Sequence, residues 1–139
     1  MKTSINYFYL LFSAFAFLFA HSVHADGRLQ VSEEITLQAD TDAVWETIND
    51  FGDMSWTTSQ LSVELNGAPG NVGTTRVLTL PNGGQIREVL VKYSDGKQTF
   101  SYVVLEGVLP VTNYRATVKV VEEAEGVTRV KWSSLFDAV

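Results

Sequence analysis

Six successive segments between Leu61 and Leu135 alternate apolar and polar residues with a period of two, separated by glycine-rich or acidic turns. No other feature constrains the chain as much. It fits β-strands with one buried and one solvated face, and no helical spacing interrupts it after Ser59. The segments are Leu61 to Leu65, Thr74 to Leu80, Gln85 to Tyr93, Gln98 to Leu105, Val111 to Val121 and Val127 to Leu135. Phe100, Tyr102 and Val104 share a face, as do Tyr114, Ala116, Val118 and Val120. Val130 and Trp132 lie on one side of the last segment, with Arg129 and Lys131 on the other. An earlier strand, Arg28 to Leu37, sets Leu29, Val31, Ile35 and Leu37 against Gln30, Ser32, Glu34 and Thr36, and Glu33 interrupts its apolar side.

Between that strand and the six others, Asp40, Thr41 and Asp42 supply N-cap and first-turn residues for a helix with Val44, Trp45, Ile48 and Phe51 on one face. Gly52 is expected to end it, and Asp53 to Thr58 reads as a second short helical turn that presents Trp56. The sum is an α+β domain, a seven-stranded antiparallel meander with short N-terminal helices. One short helix leaves Tyr102, Tyr114 and Trp132 uncovered, so the pattern calls for another helix after the last strand. The sequence, ending at Val139, therefore reads as a fragment, the alternative being a short form that dimerises over the open groove.

The hairpin GTTRVLTLPNGGQIREVLVKY places charges on an apolar face. Leu78, Leu80, Ile86 and Leu90 align if Leu80 pairs with Ile86, or Pro81 with Gln85 around Asn82-Gly83-Gly84. In that register Glu88 lies opposite Leu78, with Arg76 one step diagonal to it on the same face. Thr75, Val77, Thr79, Arg87, Val89 and Val91 face outward.

The first residues have the form of a secretory signal: one lysine, an apolar run from Tyr7 to Ala20, and small residues at Val23-x-Ala25. Cleavage between Ala25 and Asp26 leaves one domain, residues 26–139, in the periplasm or outside the cell, without a stable membrane span. It removes Lys2 from ten basic residues and none of the sixteen acids, a balance that argues against nucleic acid as a partner. It also removes His21 and His24, the only histidines, and the chain has no cysteine. Histidine- or cysteine-dependent triads, zinc sites and haem ligation are therefore not expected, nor is any metal or cofactor. Carboxylates, Tyr, Lys, Arg and water remain for any chemistry.

Two roles fit Arg76 and Glu88. They can anchor and protonate a ligand in an apolar cavity, with Glu88 as acid or base and Arg76 holding an anionic or carbonyl oxygen. They can equally form an internal ion pair that fixes sheet register. Tyr102, Tyr114 and Trp132, with Leu78 and Leu90, line such a cavity or form ordinary core, and Trp56 is placed either as a lid or as a loop residue. Trp45 has core spacing. Gly67, Gly70 and Gly73 lack the GK[ST] of a phosphate loop, and Glu122, Glu123 and Glu125 form a solvated turn rather than a calcium loop.

Five ordered blocks, AVWETINDFGDMSW, NGAPGNVGTTRVLTL, GGQIREVL, FSYVVLEGVLPVTNYRATVKV and TRVKWSSLF, resemble the polyketide-cyclase/dehydrase branch of the START-like, Bet v 1-like (SRPBCC) superfamily. The resemblance implies a helix-grip fold, in which a curved seven-stranded antiparallel sheet wraps a long C-terminal helix around a cavity for a small hydrophobic ligand. Ala39-Asp40 stands where the family often has a proline, and the gripping helix has no counterpart in the sequence. LEGVLPVTNYRATVKV is similar to exported proteins associated with bacterial methanol oxidation, which implies a periplasmic dehydrogenase partner. The spacing of Arg76, Glu88, Tyr102 and Tyr114 resembles that of the lachrymatory-factor synthases, where a cavity Arg and Glu transfer protons. Three functions follow as expectations: a binding protein for a lipid, aromatic or polyketide-like molecule, a cofactor-independent cyclase, dehydratase or isomerase, and a dehydrogenase accessory protein.

Overall fold

A computed structural model of the protein describes residues 28–139. The leader read from the sequence lies outside the described residues. The elements run β1 (Arg28–Leu37), α1 (Thr41–Ile48), β2 (Ser62–Asn66), β3 (Thr75–Thr79), β4 (Gln85–Ser94), β5 (Thr99–Gly107), β6 (Val111–Ala124) and β7 (Val127–Ala138). They form one curved, wholly antiparallel sheet in the order β1-β7-β6-β5-β4-β3-β2. The period-two pattern thus becomes a meander from β2 to β7, and β1 returns to pair with β7 along its whole length.

Asp40 caps α1 by accepting from the amides of Asp42 (3.0 Å) and Ala43 (3.4 Å), which stabilises a helix too short to persist alone. Val44, Trp45 and Ile48 bury its apolar face, and the Trp45 indole donates to Asp95 Oδ1 in the β4–β5 turn at 2.6 Å. Thr128 of β7 donates to Ala39 O and shares a hydroxyl contact with Thr41, each at 2.8 Å, so α1 is fastened both to β7 and to the β4–β5 turn. The helix ends at Ile48 with Asn49 as its C-cap, before Gly52. Asp53 to Thr58 is not helical. The Asp53 carboxylate accepts from Ser55 N at 2.8 Å and Met54 O accepts from both Thr57 N and Thr57 Oγ1, so local side-chain bonds replace the helical ladder. The stretch from Phe51 through this segment carries Phe51, Met54 and Trp56 onto the sheet's inner face, where all three are buried.

The expected hairpin register is wrong by two residues. Leu78 pairs with Ile86, and Arg76 pairs directly with Glu88 rather than lying diagonal to it. The turn is Pro81-Asn82-Gly83: Leu80 N donates to Gly84 O at 2.8 Å and Gly83, at φ 86°, takes the left-handed conformation that closes a three-residue loop. A shift of two keeps every side chain on its face, so the apolar alignment survives while the charged pair becomes face to face. Tyr102 was expected to be uncovered, yet it is 2% exposed because Phe51 packs against it with ring centroids 5.9 Å apart.

Candidate functional site

Arg76 and Glu88 sit on adjacent strands with 3% and 5% exposure, and Arg76 Nε donates to Glu88 Oε2 at 2.6 Å. The guanidinium does more than neutralise the carboxylate. Its Nη1 donates to Phe51 O at 2.9 Å and lies 3.3 Å from Met54 Sδ, while its carbon stands 4.0 Å from the Phe51 ring centroid and 4.9 Å from that of Tyr102. One buried cation therefore joins β3, β4, β5 and the segment after α1. Burial pushes the Glu88 carboxyl above its usual range, against the lowering effect of Arg76.

Tyr102 extends this cluster toward β6 and β7. The Tyr114 hydroxyl sits beside those of Ser134 and Tyr102, and the Trp132 indole N–H beside the Tyr102 phenol. Burial raises both tyrosines above the usual phenol range, Tyr102 well above it, so both stay neutral O–H groups at neutral pH. Leu78 and Leu90 are fully packed floor beneath this cluster. Trp56 lies apart from the ion pair: its indole donates to Asp53 O at 2.9 Å and its ring is 6.0 Å from that of Trp132.

A groove of about 680 Å³ opens beside Tyr114, lined by residues 103–107, Leu109 and residues 111–114. Its origin is a splayed hairpin. Pairing of β5 with β6 stops at Val103 and Arg115, after which β5 bonds only to β4 and the start of β6 only to β7. Irregularities at Thr112/Arg115 and Arg87/Glu88 accompany the split, and Asn113 has φ 54°. A side chain at Gly107 would stand 2.9 Å from Gln85 O, so glycine lets β5 close on β4 at the groove's end. Leu105 and Val108 are 51% and 58% exposed at its rim. Sequence reading placed Tyr114 at a cavity but missed this groove. The usable signals were Gly107 and the Leu-Pro at 109 and 110, which break the alternation between two strands.

Phe51 and Met54 were also missed as partners of Arg76, because alternation says nothing about which loop crosses a face. Glu33 was noticed only as an interruption. It lies on the partly buried side of β1, opposite Trp132 across the β1–β7 pair, and burial raises its carboxyl above the usual range. Among the described residues no group of three or more His, Cys, Asp or Glu is arranged to hold a metal ion, and no helix is long and apolar enough to cross a membrane.

Two outcomes follow from these placements. Arg76→Met leaves Glu88 buried and unpaired and should cost about 3–5 kcal/mol, whereas Arg76→Met with Glu88→Leu should recover much of that. Denaturant unfolding of the double-mutant cycle measures this, and additive losses would show that the pair is not coupled. For Glu33, a folded-state pKa above the unfolded one means that ionisation opposes folding; the cost is absent below the ordinary carboxylate range and appears as pH rises through it. Glu33→Gln should therefore raise the thermal midpoint near pH 7, with the gain shrinking toward about pH 4. A gain that does not vary with pH contradicts this account.

Comparison with known proteins places this geometry among relatives. No curated protein sequence matches the chain significantly. Among solved structures, an uncharacterised protein from Bacillus thuringiensis superposes with TM-score 0.71 at 26% identity over 79% of each chain. XoxI from Bacillus cereus gives 0.69 at 26% identity over 79% of this chain and 76% of its own. Norcoclaurine synthase from Thalictrum flavum, solved with dopamine and hydroxybenzaldehyde, shares the fold at TM-score 0.62 and 19% identity, covering 80% of this chain and 70% of its own. The family model described as polyketide cyclase / dehydrase and lipid transport matches residues 28–139, and with the seven-stranded Bet v 1-like sheet it establishes that the chain belongs to this family of the START-like superfamily.

Proposed function

We propose that this protein binds a small hydrophobic or amphipathic molecule, a lipid, aromatic or polyketide-like compound, and does so in the periplasm or outside the cell after its leader is removed. The half-open groove of about 680 Å³ carries the reading: it has a size usual for small-molecule sites, and its lining mixes aliphatic side chains with polar groups that include the neutral Tyr114 phenol, as an amphipathic ligand needs. Membership of a family that includes lipid transport supports the same ligand class.

A second reading is a cofactor-independent cyclase, dehydratase or isomerase, with Glu88 as acid or base and Arg76 as anion anchor. The raised Glu88 carboxyl and the two phenols between it and the groove favour it. Native mass spectrometry of the exported chain tests both. Binding predicts a retained small molecule, with occupancy at least tenfold lower in Thr112→Trp, which sets an indole in the groove. Folded wild-type protein that is empty, or a variant that retains the molecule equally, overturns it. Catalysis predicts in addition that the recovered molecule is chemically altered on incubation and that Glu88→Gln stops the change without releasing it. An unaltered molecule rules catalysis out.

A third reading, an accessory protein of a periplasmic methanol or alcohol dehydrogenase, is favoured by LEGVLPVTNYRATVKV and by the likeness to XoxI. It predicts co-elution of the exported protein with such a dehydrogenase in gel filtration. Separate elution at concentrations where each is folded excludes a stable complex.

A further inference from the structure

Charge is divided unevenly between the two sides of the sheet. On β6, Arg115, Thr117 and Lys119 alternate with the buried Ala116 and Val118, so they face outward, and the Thr117 hydroxyl meets that of Ser101 on β5 at 2.8 Å. Ser101 in turn pairs in register with Lys92 of β4. Lys92, Arg115 and Lys119 are exposed, and none has an ion-pair partner among the described residues. The acids of the same face are all answered: Glu34 by Arg129 and Lys131, Glu123 by Arg129, Glu106 by Arg87 and Asp137 by Arg28. The outward face of β1 and β4 to β7 therefore carries an excess of three positive charges.

This excess stands in an acidic chain. From Arg28 onward there are nine basic residues against fifteen acids, so away from this face only Arg76 and Lys97 stand against eleven acids. Five of those, Asp40, Asp42, Glu46, Asp50 and Asp53, lie on or beside α1, on the inner side of the sheet. Glu122 and Glu125 lie at the β6–β7 turn, the end of that hairpin remote from the groove. One packed layer, about 10 Å, exceeds the screening length of about 8 Å at physiological ionic strength. A surface that meets the outer face is therefore attracted by the local cations more than it is repelled by the acids behind them.

The basic face adjoins apolar surface. Arg115 is the last β6 residue paired with β5 before the strands part, and Leu105 and Val108, 51% and 58% exposed, stand at the rim of the groove that the parting opens. Cations beside exposed aliphatic side chains suit a bilayer surface, where headgroup phosphates attract the first and the acyl boundary accepts the second. An acidic protein surface would answer the cations but give Leu105 and Val108 nothing to enter. We propose that this face docks the protein on an anionic bilayer, with Lys92, Arg115 and Lys119 at the phosphates and Leu105 and Val108 in the interface. The docking rests on charge and exposure and not on what the groove holds, and it places that groove beside the membrane.

Co-sedimentation of the exported chain with vesicles tests this, comparing phosphatidylcholine alone with an equal mixture of phosphatidylcholine and phosphatidylglycerol. At about fivefold per cation near an anionic surface, the mixed vesicles should bind about a hundredfold more tightly, and near 1 M salt the advantage should vanish. Lys119→Gln should weaken that binding about fivefold, and Arg115→Gln with Lys119→Gln about 25-fold. Lys97→Gln removes the same charge from the β4–β5 turn, which contacts α1, and should leave binding unchanged. Leu105→Ser should weaken binding severalfold at every salt concentration. Equal binding to both vesicles, or a loss with Lys97→Gln as large as with Lys119→Gln, overturns the proposal. So does failure to bind the mixed vesicles, and if the chain then binds immobilised polyglutamate the face belongs to an acidic protein instead. Retention of a small molecule in native mass spectrometry is decided separately from any of these results.

Discussion

The buried guanidinium of Arg76 is the contact on which the rest of the structure depends. A seven-stranded sheet with one apolar face needs a second layer, and an eight-residue helix cannot supply it alone. The irregular segment after α1 makes up part of the deficit by laying Phe51, Met54 and Trp56 onto the sheet. Such a segment has backbone groups that need partners, and Phe51 O finds one in Arg76. The cation can sit there because Glu88 neutralises it and two aromatic faces accept it. Removing any one of these partners exposes the others to the full cost of burying polar groups, so the cluster acts as a unit.

The fold was largely legible in the sequence because alternation encodes which face each residue occupies, and the face is what burial selects. Every strand was found, β1 with its limits, and Val44, Trp45 and Ile48 were placed in the helix that buries them. Register was harder. Apolar alignment is satisfied equally by shifts of two, and the choice between them fell to a turn in which one glycine, Gly83, takes positive φ. The error mattered at one place only, converting a diagonal contact of Arg76 and Glu88 into a direct one. The site was legible in part. Side chains fixed by strand parity, such as Tyr102, were placed on the right face, whereas Met54, carried by a loop, had no periodicity to announce its contact with Arg76.

The groove arises from a failure of pairing rather than from a motif. Two strands joined by a short connection would ordinarily remain paired to their ends, yet β5 and β6 separate after Val103 and Arg115 and each keeps only its outer neighbour. Strand alternation describes residues and not the gap between strands, so only the break at Gly107 and Leu109-Pro110 hinted at the volume beside Tyr114.

The polar groups of the inner face divide by what burial does to them. Arg76 and Glu88 are enclosed and mutually satisfied, and their energy goes into holding loop to sheet. Tyr102 and Tyr114 stay protonated because burial disfavours the phenolate, so they can donate hydrogen bonds but carry no charge. Glu33, on the partly buried side of β1, has a carboxyl raised by burial and no ion pair among the described residues. The groove is thus met by a neutral hydrogen-bond donor, the Tyr114 phenol, rather than by the buried ion pair behind it, so its recognition of a ligand depends on shape and hydrogen bonding more than on charge.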